Sequence, residues 1–203
     1  MKRLLLLTAL CFTGIGVSNA APLNYSFSFD TSLLNGLNGF LDFQFNPGGL
    51  DAAPLTATVT NFLSVGGVLD LTSINTGDAA GTLPATLTLG NSGQLNAVFQ
   101  GFQFGTALSF DLAIDGPGLS PPGGTLSGTT FGLFLLKDSG VDLFPTSDPN
   151  GTLVTVTVNE LGDGSSQAFT VVPEPASLAL IVLGICAFGY FRSSRIFSIS
   201  RGM

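Results

Sequence analysis

The chain of 203 residues contains no histidine and no tryptophan. Without histidine, neither a Ser–His–Asp triad nor a Cys–His pair can form in its usual arrangement, and zinc or copper sites built on imidazole are ruled out. Cysteine occurs only twice, as Cys11 and Cys186, each inside an apolar run near a chain end. The region between those runs therefore has no thiol and no disulfide. Basic residues are nearly as scarce: Lys2, Arg3, Arg192, Arg195 and Arg201 lie in the terminal segments, which leaves Lys137 alone between residues 21 and 172. Twelve acidic residues in the same stretch give it eleven net negative charges. Phosphate neutralisation needs Lys or Arg, so nucleic acid and anionic lipid are not expected partners. Acidity of this kind keeps a domain in solution. A 3.6-residue apolar period is also missing from the body, so no amphipathic helix is expected there.

What is present is a period of two. Tyr25-Ser-Phe27-Ser-Phe29 sets aromatics against serines, and Phe40–Phe45 repeats the device, with Asn-Gly turn signals between them at 35–39. Further strands are expected over Leu55–Phe62, Val68–Leu71, Thr82–Leu89, Thr129–Leu136, Thr152–Asn159 and Gln167–Val172. Pro84 places the start of its strand on an edge or bulge. Leu95–Phe104 and Ala107–Ile114 read as a hairpin closed by Gly105-Thr106. Phe99, Phe102, Phe104, Phe110 and Leu112 are core candidates there, and a bulge is expected near Gly101. The stretch Asp115–Gly124 and the stretch Asp138–Gly151 read as surface loops. Two apolar faces on Thr129–Leu136 point to a central strand covered on both sides. About nine short strands with Gly- and Pro-rich connections predict an all-β protein, an antiparallel β-sandwich of jelly-roll-like type.

Both ends of the chain carry apolar runs. Met1-Lys2-Arg3, the run Leu4–Val17 and Ser18-Asn19-Ala20 make up a basic, an apolar and a small-residue region, so residues 1–20 are expected to be a signal helix handled by the Sec translocon and cut by signal peptidase between Ala20 and Ala21. At the other end, Pro173-Glu174-Pro175 precedes Ala176–Phe191, which holds no charge, and Arg192 and Arg195 follow it. A bilayer core about 30 Å thick takes roughly 20 helical residues, and the flanks of 176–191 make up the difference for a C-terminal transmembrane helix. The arginines belong on the cytoplasmic side, which puts the body outside.

These residues, over 172–203, resemble a PEP-CTERM sorting signal: motif 173–175, helix 176–191 and basic cluster 192–195. Residues 196–203 extend beyond the family's usual end. The resemblance implies a bacterial protein recognised by a membrane protease of the exosortase class and cut near Pro173-Glu174-Pro175. Residues 21–171 would then be an exported domain, tethered first in the inner membrane and delivered to the cell surface or exopolysaccharide matrix.

Within the body, chemistry has few openings. Asp111 and Asp115 lie on one strand end, but a glycoside hydrolase usually adds aromatic platforms to its carboxylate pair. Asp138, Asp142, Asp148 and Asn150 share one loop, and Asp148-Pro-Asn150-Gly151 has the form of a calcium-loop start without its remaining ligands. Calcium is thus the one cofactor the residues suggest. The body is expected to be non-catalytic, a matrix component or alternatively a carbohydrate-binding module, with Tyr25 and Phe134 as the aromatics to offer a glycan.

Overall fold

Alternating apolar and polar residues suit a pleated surface with one face buried, and they dominate the structure. The computed structural model describes residues 20–120 and 128–173. Residues 1–19 of the expected signal helix, Glu174, Pro175, the apolar run 176–191, Arg192 and Arg195 lie outside the described residues. Among the described residues no helix is long and apolar enough to cross a membrane.

Among the described residues, eleven strands build two antiparallel sheets packed as a sandwich: β1 (Leu23–Asp30), β2 (Asn38–Pro47), β3 (Thr56–Val65), β4 (Val68–Thr76), β5 (Ala79–Ala80), β6 (Leu87–Gly90), β7 (Ala97–Gln103), β8 (Ala107–Asp115), β9 (Thr129–Lys137), β10 (Thr152–Val158) and β11 (Gly164–Ala168). One sheet has the order β1-β8-β3-β6-β5 and the other β11-β10-β9-β2-β7-β4. Leu41, Phe43 and Phe45 of β2, Phe131, Leu133 and Leu135 of β9, and Leu108, Phe110, Leu112 and Ile114 of β8 fill the space between them. Phe110 of the five-stranded sheet meets Phe43 edge-on at 5.6 Å and Phe131 at 6.3 Å. Fully burying side chains of this size contributes roughly 1.5–3 kcal/mol each. β9 is central as expected, between β2 and β10, but it is covered on one face only: Thr130 is exposed and Phe134 half-buried on the outer side.

The expected hairpin of 95–104 with 107–114 does not form. β7 pairs with β2 and β4, whereas β8 pairs with β1 and β3 in the opposite sheet. Gly105-Thr106 carries the chain across the core instead. Gly105 lies against the backbone of Val65, Gly66 and Gly67, where the β3–β4 connection makes the same crossing, and a Cβ there would collide with it. The Asn-Gly signals at 35–39 mark another crossing. A 3₁₀ turn, Ser32–Leu34, leads into Gly36 (φ +82°), whose N–H donates to the Phe104 carbonyl at 2.8 Å. Turn residues serve a hairpin and a cross-core arch equally well, so they do not tell the two apart.

The bulge near Gly101 falls on the neighbouring strand. β7 runs in unbroken register with β2, while Asp70, Leu71 and Thr72 of β4 bow out opposite Gly101 alone. Val98, Gln100, Phe102 and Phe104 consequently share the inner face, and Phe99 is turned outward rather than into the core. Buried Gln100 satisfies the bulge: its amide donates to the Asp70 and Thr72 carbonyls at 2.8 and 3.0 Å, and its oxygen accepts from the Thr82 hydroxyl at 3.0 Å. Thr82–Thr86 turns instead of forming a strand, which starts only at Leu87. The last strand is Gly164–Ala168, exposed throughout, rather than Gln167–Val172.

Candidate functional site

The four residues suggested for calcium occupy two separate turns. Asp138 and Asp142 belong to a turn in which Gly140 N–H donates to the Lys137 carbonyl, Lys137 N–H donates to the Asp142 carbonyl and the Ser139 hydroxyl reaches the Asp142 carboxylate at 3.4 Å. Asp148 closes a different turn: its Oδ1 accepts from Asn150 N–H at 3.1 Å and its Oδ2 from Thr152 N–H at 3.2 Å. Hydrogen bonds from Thr152 and Asn150 hold the Asp148 carboxyl below the usual aspartate range. Among the described residues no three acidic, histidine or cysteine side chains gather as a metal site.

Asp111 and Asp115 lie on the outer face of the five-stranded sheet and at its end. Both Asp111 oxygens are taken, Oδ2 by the Asn61 amide at 2.7 Å and Oδ1 by the Ser26 hydroxyl at 2.6 Å, and these bonds, Asn61's first, lower its pKa. Asn61 reaches it from a bulge in β3, with φ at +54°. Asp115 accepts from the following Gly116 N–H at 2.7 Å. The surrounding face is serine, threonine and asparagine, and it supplies no aromatic platform.

Tyr25 sits at the edge of the core. Its ring stacks on Phe27 at 6.0 Å and its hydroxyl adjoins Gly164 of β11, where burial pushes its pKa up. Phe134 is different: it is half-buried on the outer face of the six-stranded sheet, its ring lying over the bare backbone of Gly132.

That outer face also holds Phe40, and with it Phe99, a residue expected in the core. Phe40 and Phe99 stack at 4.3 Å and 20° between rings, and both are half-buried. Asp42 stands between Phe99 on β7 and Phe134 on β9, its direct cross-strand neighbours. Desolvation raises the Asp42 pKa, offset in part by the Gln44 amide, which donates to it at 2.6 Å; Asn46 donates in turn to Gln44 at 3.0 Å. Beside Phe40 opens a cleft of about 300 Å³ walled by Leu69 and lined by Asn38, Gln103, Asp70 and Asp138. Aromatic faces with a carboxylate–amide row and an adjoining polar cleft can stack on an apolar ring face and bond its hydroxyls. A parity signal for these rings existed: Phe40 is three residues from Phe43, and Phe99 three from Phe102, so each pair points to opposite faces.

At the chain's two exits, Ala20 packs against the core and donates its N–H to the Ser120 hydroxyl at 3.2 Å, while Ala21 is exposed. Val171 is buried and bridges Thr146, Val172 N–H donates to the Pro145 carbonyl at 3.0 Å, and Pro173 is exposed. The fold is thus an antiparallel β-sandwich with an aromatic outer face. No protein-family model, curated protein or solved structure matches the chain.

Proposed function

We propose that this is an exported, non-catalytic protein of the cell surface or exopolysaccharide matrix, with a jelly-roll-like body between a signal helix and a transmembrane tail. Signal peptidase releases it at Ala20–Ala21 after passage through the Sec translocon. An exosortase-type protease then cuts near Pro173-Glu174-Pro175. The observation that supports this reading is how the described chain meets the motif. The backbone is pinned through Val172, and the next residue begins the motif. Cleavage there would leave the sandwich whole. Mass spectrometry of the protein from a producing strain, with and without its exosortase, tests it. A product spanning Ala21 to the motif, lost when the exosortase is deleted, is the expected result. A chain ending at Met203 in both strains would refute sorting.

The outer face of the six-stranded sheet favours a second reading, a carbohydrate-binding module. Phe40, Phe99 and Phe134 offer ring faces, and Asp42, Gln44 and the cleft offer hydroxyl partners. The negative body favours a neutral polysaccharide over an acidic one. Polysaccharide pull-down should retain the wild type and lose Phe40→Ala and Phe134→Ala. Equal retention of all three would exclude this face as the glycan site.

A further inference from the structure

The connections around 31–37, 64–68, 104–107 and 137–151 all lie at one end of the sandwich, together with the chain's exit at 169–173. They are tied to each other: Thr31 N–H donates to Thr106, Phe104 N–H to Leu37, and Thr106 N–H to Val65. Leu33 shares a groove with Phe169 and Val171, next to the exit. This end exposes Leu33, Leu37, Val65, Val68, Val141 and Leu143, from 37% to 79% of each. They are six of the twelve large apolar side chains exposed among the described residues; of the described residues at the far end, Leu50, Leu95 and Leu161 are exposed, in separate loops. Exposed apolar residues concentrated in this way mark a contact surface.

The length of chain beyond the fold says what that contact is. From Pro173 to the start of the apolar run at Ala176 there are three residues, which span at most about 11 Å. The headgroup layer on each side of a bilayer is itself about 5–8 Å deep. A sandwich pinned through Val172 therefore has no linker with which to stand clear of the membrane. We infer that the exit end of the sandwich rests in the headgroup layer of the membrane that holds its tail, with Leu33, Val65, Val68 and Val141 dipping into the lipid. The inference rests on the reading of 176–191 as a membrane segment. Asp30, Asp138 and Asp142 share this end, so the contact is apolar and favours zwitterionic lipid; anionic lipid weakens it.

The test uses the full chain with Cys11→Ser and Cys186→Ser, floated with phosphatidylcholine vesicles containing a nitroxide headgroup lipid. A polarity-sensitive fluorophore is attached at Val65→Cys, Val141→Cys or, at the far end, Leu161→Cys. The labels at 65 and 141 should shift to the blue and be quenched several-fold more than the label at 161, with the difference shrinking when phosphatidylserine is added. If the chain floats but all three labels behave alike, the docking end is wrong and the membrane tail stands. If the chain does not float, the tail reading and this inference both fall. A blue shift at 65 and 141 that appears only after an exosortase is added, without quenching by the lipid nitroxide, would assign the surface to protein and overturn the lipid contact.

Discussion

Two truncations probe the placement of β7 between its two faces, and a third, on β8, sets the scale of a core ring. Phe110→Ala removes a fully buried ring that touches Phe27, Phe29, Phe43 and Phe131. A change of this kind costs about 3–5 kcal/mol. Gln100→Ala takes a buried amide away from two bulge carbonyls and the Thr82 hydroxyl, and stranded polar groups cost about 1–3 kcal/mol. Phe99→Ala loses a stacked partner on the outer face, and an aromatic pair is worth about 0.5–1.5 kcal/mol beyond its buried area. With a urea slope of about 2 kcal/mol per molar, the unfolding midpoint should fall by about 2 M for Phe110→Ala and by less than about 1 M for Phe99→Ala. Gln100→Ala should fall between them. Tyrosine fluorescence or circular dichroism against urea reads the three midpoints. A slip of one residue in β7 would exchange its faces. Phe99→Ala as costly as Phe110→Ala, together with a neutral Gln100→Ala, would therefore refute the register described above.

Further predictions concern single polar groups. Burial raises the folded Asp42 pKa above the unfolded value of about 3.9, so ionisation destabilises the fold as pH rises through that window. Asp42→Asn should raise Tm at pH 7 and leave it unchanged near pH 3 in a thermal melt. Asp148 has the opposite sign: its lowered pKa stabilises the fold above the ordinary aspartate value and that contribution is lost as pH falls through the folded one. Asp148→Asn should lower Tm at pH 7, with the gap closing in acid. Because both Asp148 oxygens already accept backbone N–H groups, millimolar calcium should leave the melting curve where it was. Asn96 is wholly buried, donates to the Phe45 and Gly93 carbonyls and accepts from Asp78 N–H, so Asn96→Ala should cost roughly 1–3 kcal/mol in urea unfolding.

The strands that could be read in the sequence are those whose alternation continues long enough to reveal a buried face. Thr152-Leu-Val-Thr-Val-Thr-Val158 is one, and Phe131, Leu133 and Leu135 of β9 are another. β11 carries no such signal, because Gly-Ser-Ser-Gln-Ala buries nothing and pairs only through its backbone with β10. Pairing partners were illegible for a different reason. Gly105-Thr106 looks like a hairpin turn, and only the crossing beside Gly66-Gly67 shows that it leads to the other sheet. Phe99 misled because aromatic residues suggest a core, whereas parity sets it against inward-facing Gln100. The loop carboxylates were visible, but a cluster in sequence does not show that each is occupied within its own turn, as Asp148 is. The aromatic outer face became recognisable only when β2, β7 and β9 were side by side, since Phe40, Phe99 and Phe134 come from strands distant in sequence.

The alternation of strands between sheets also sets an order of events. β1 finds its partner only in β8, and β2 gains its full register with β9, pairing Gly39 with Lys137. Such non-local pairing cannot begin until the distant strand is available. On the proposed export route, a chain threaded through a membrane pore from its N-terminus could pair β2 with β7 early but could not complete the six-stranded sheet until β9, ending at Lys137, had passed. On that reading the sandwich would close behind the pore shortly before the proposed membrane segment 176–191 arrives, and translocation would finish before folded protein could block it.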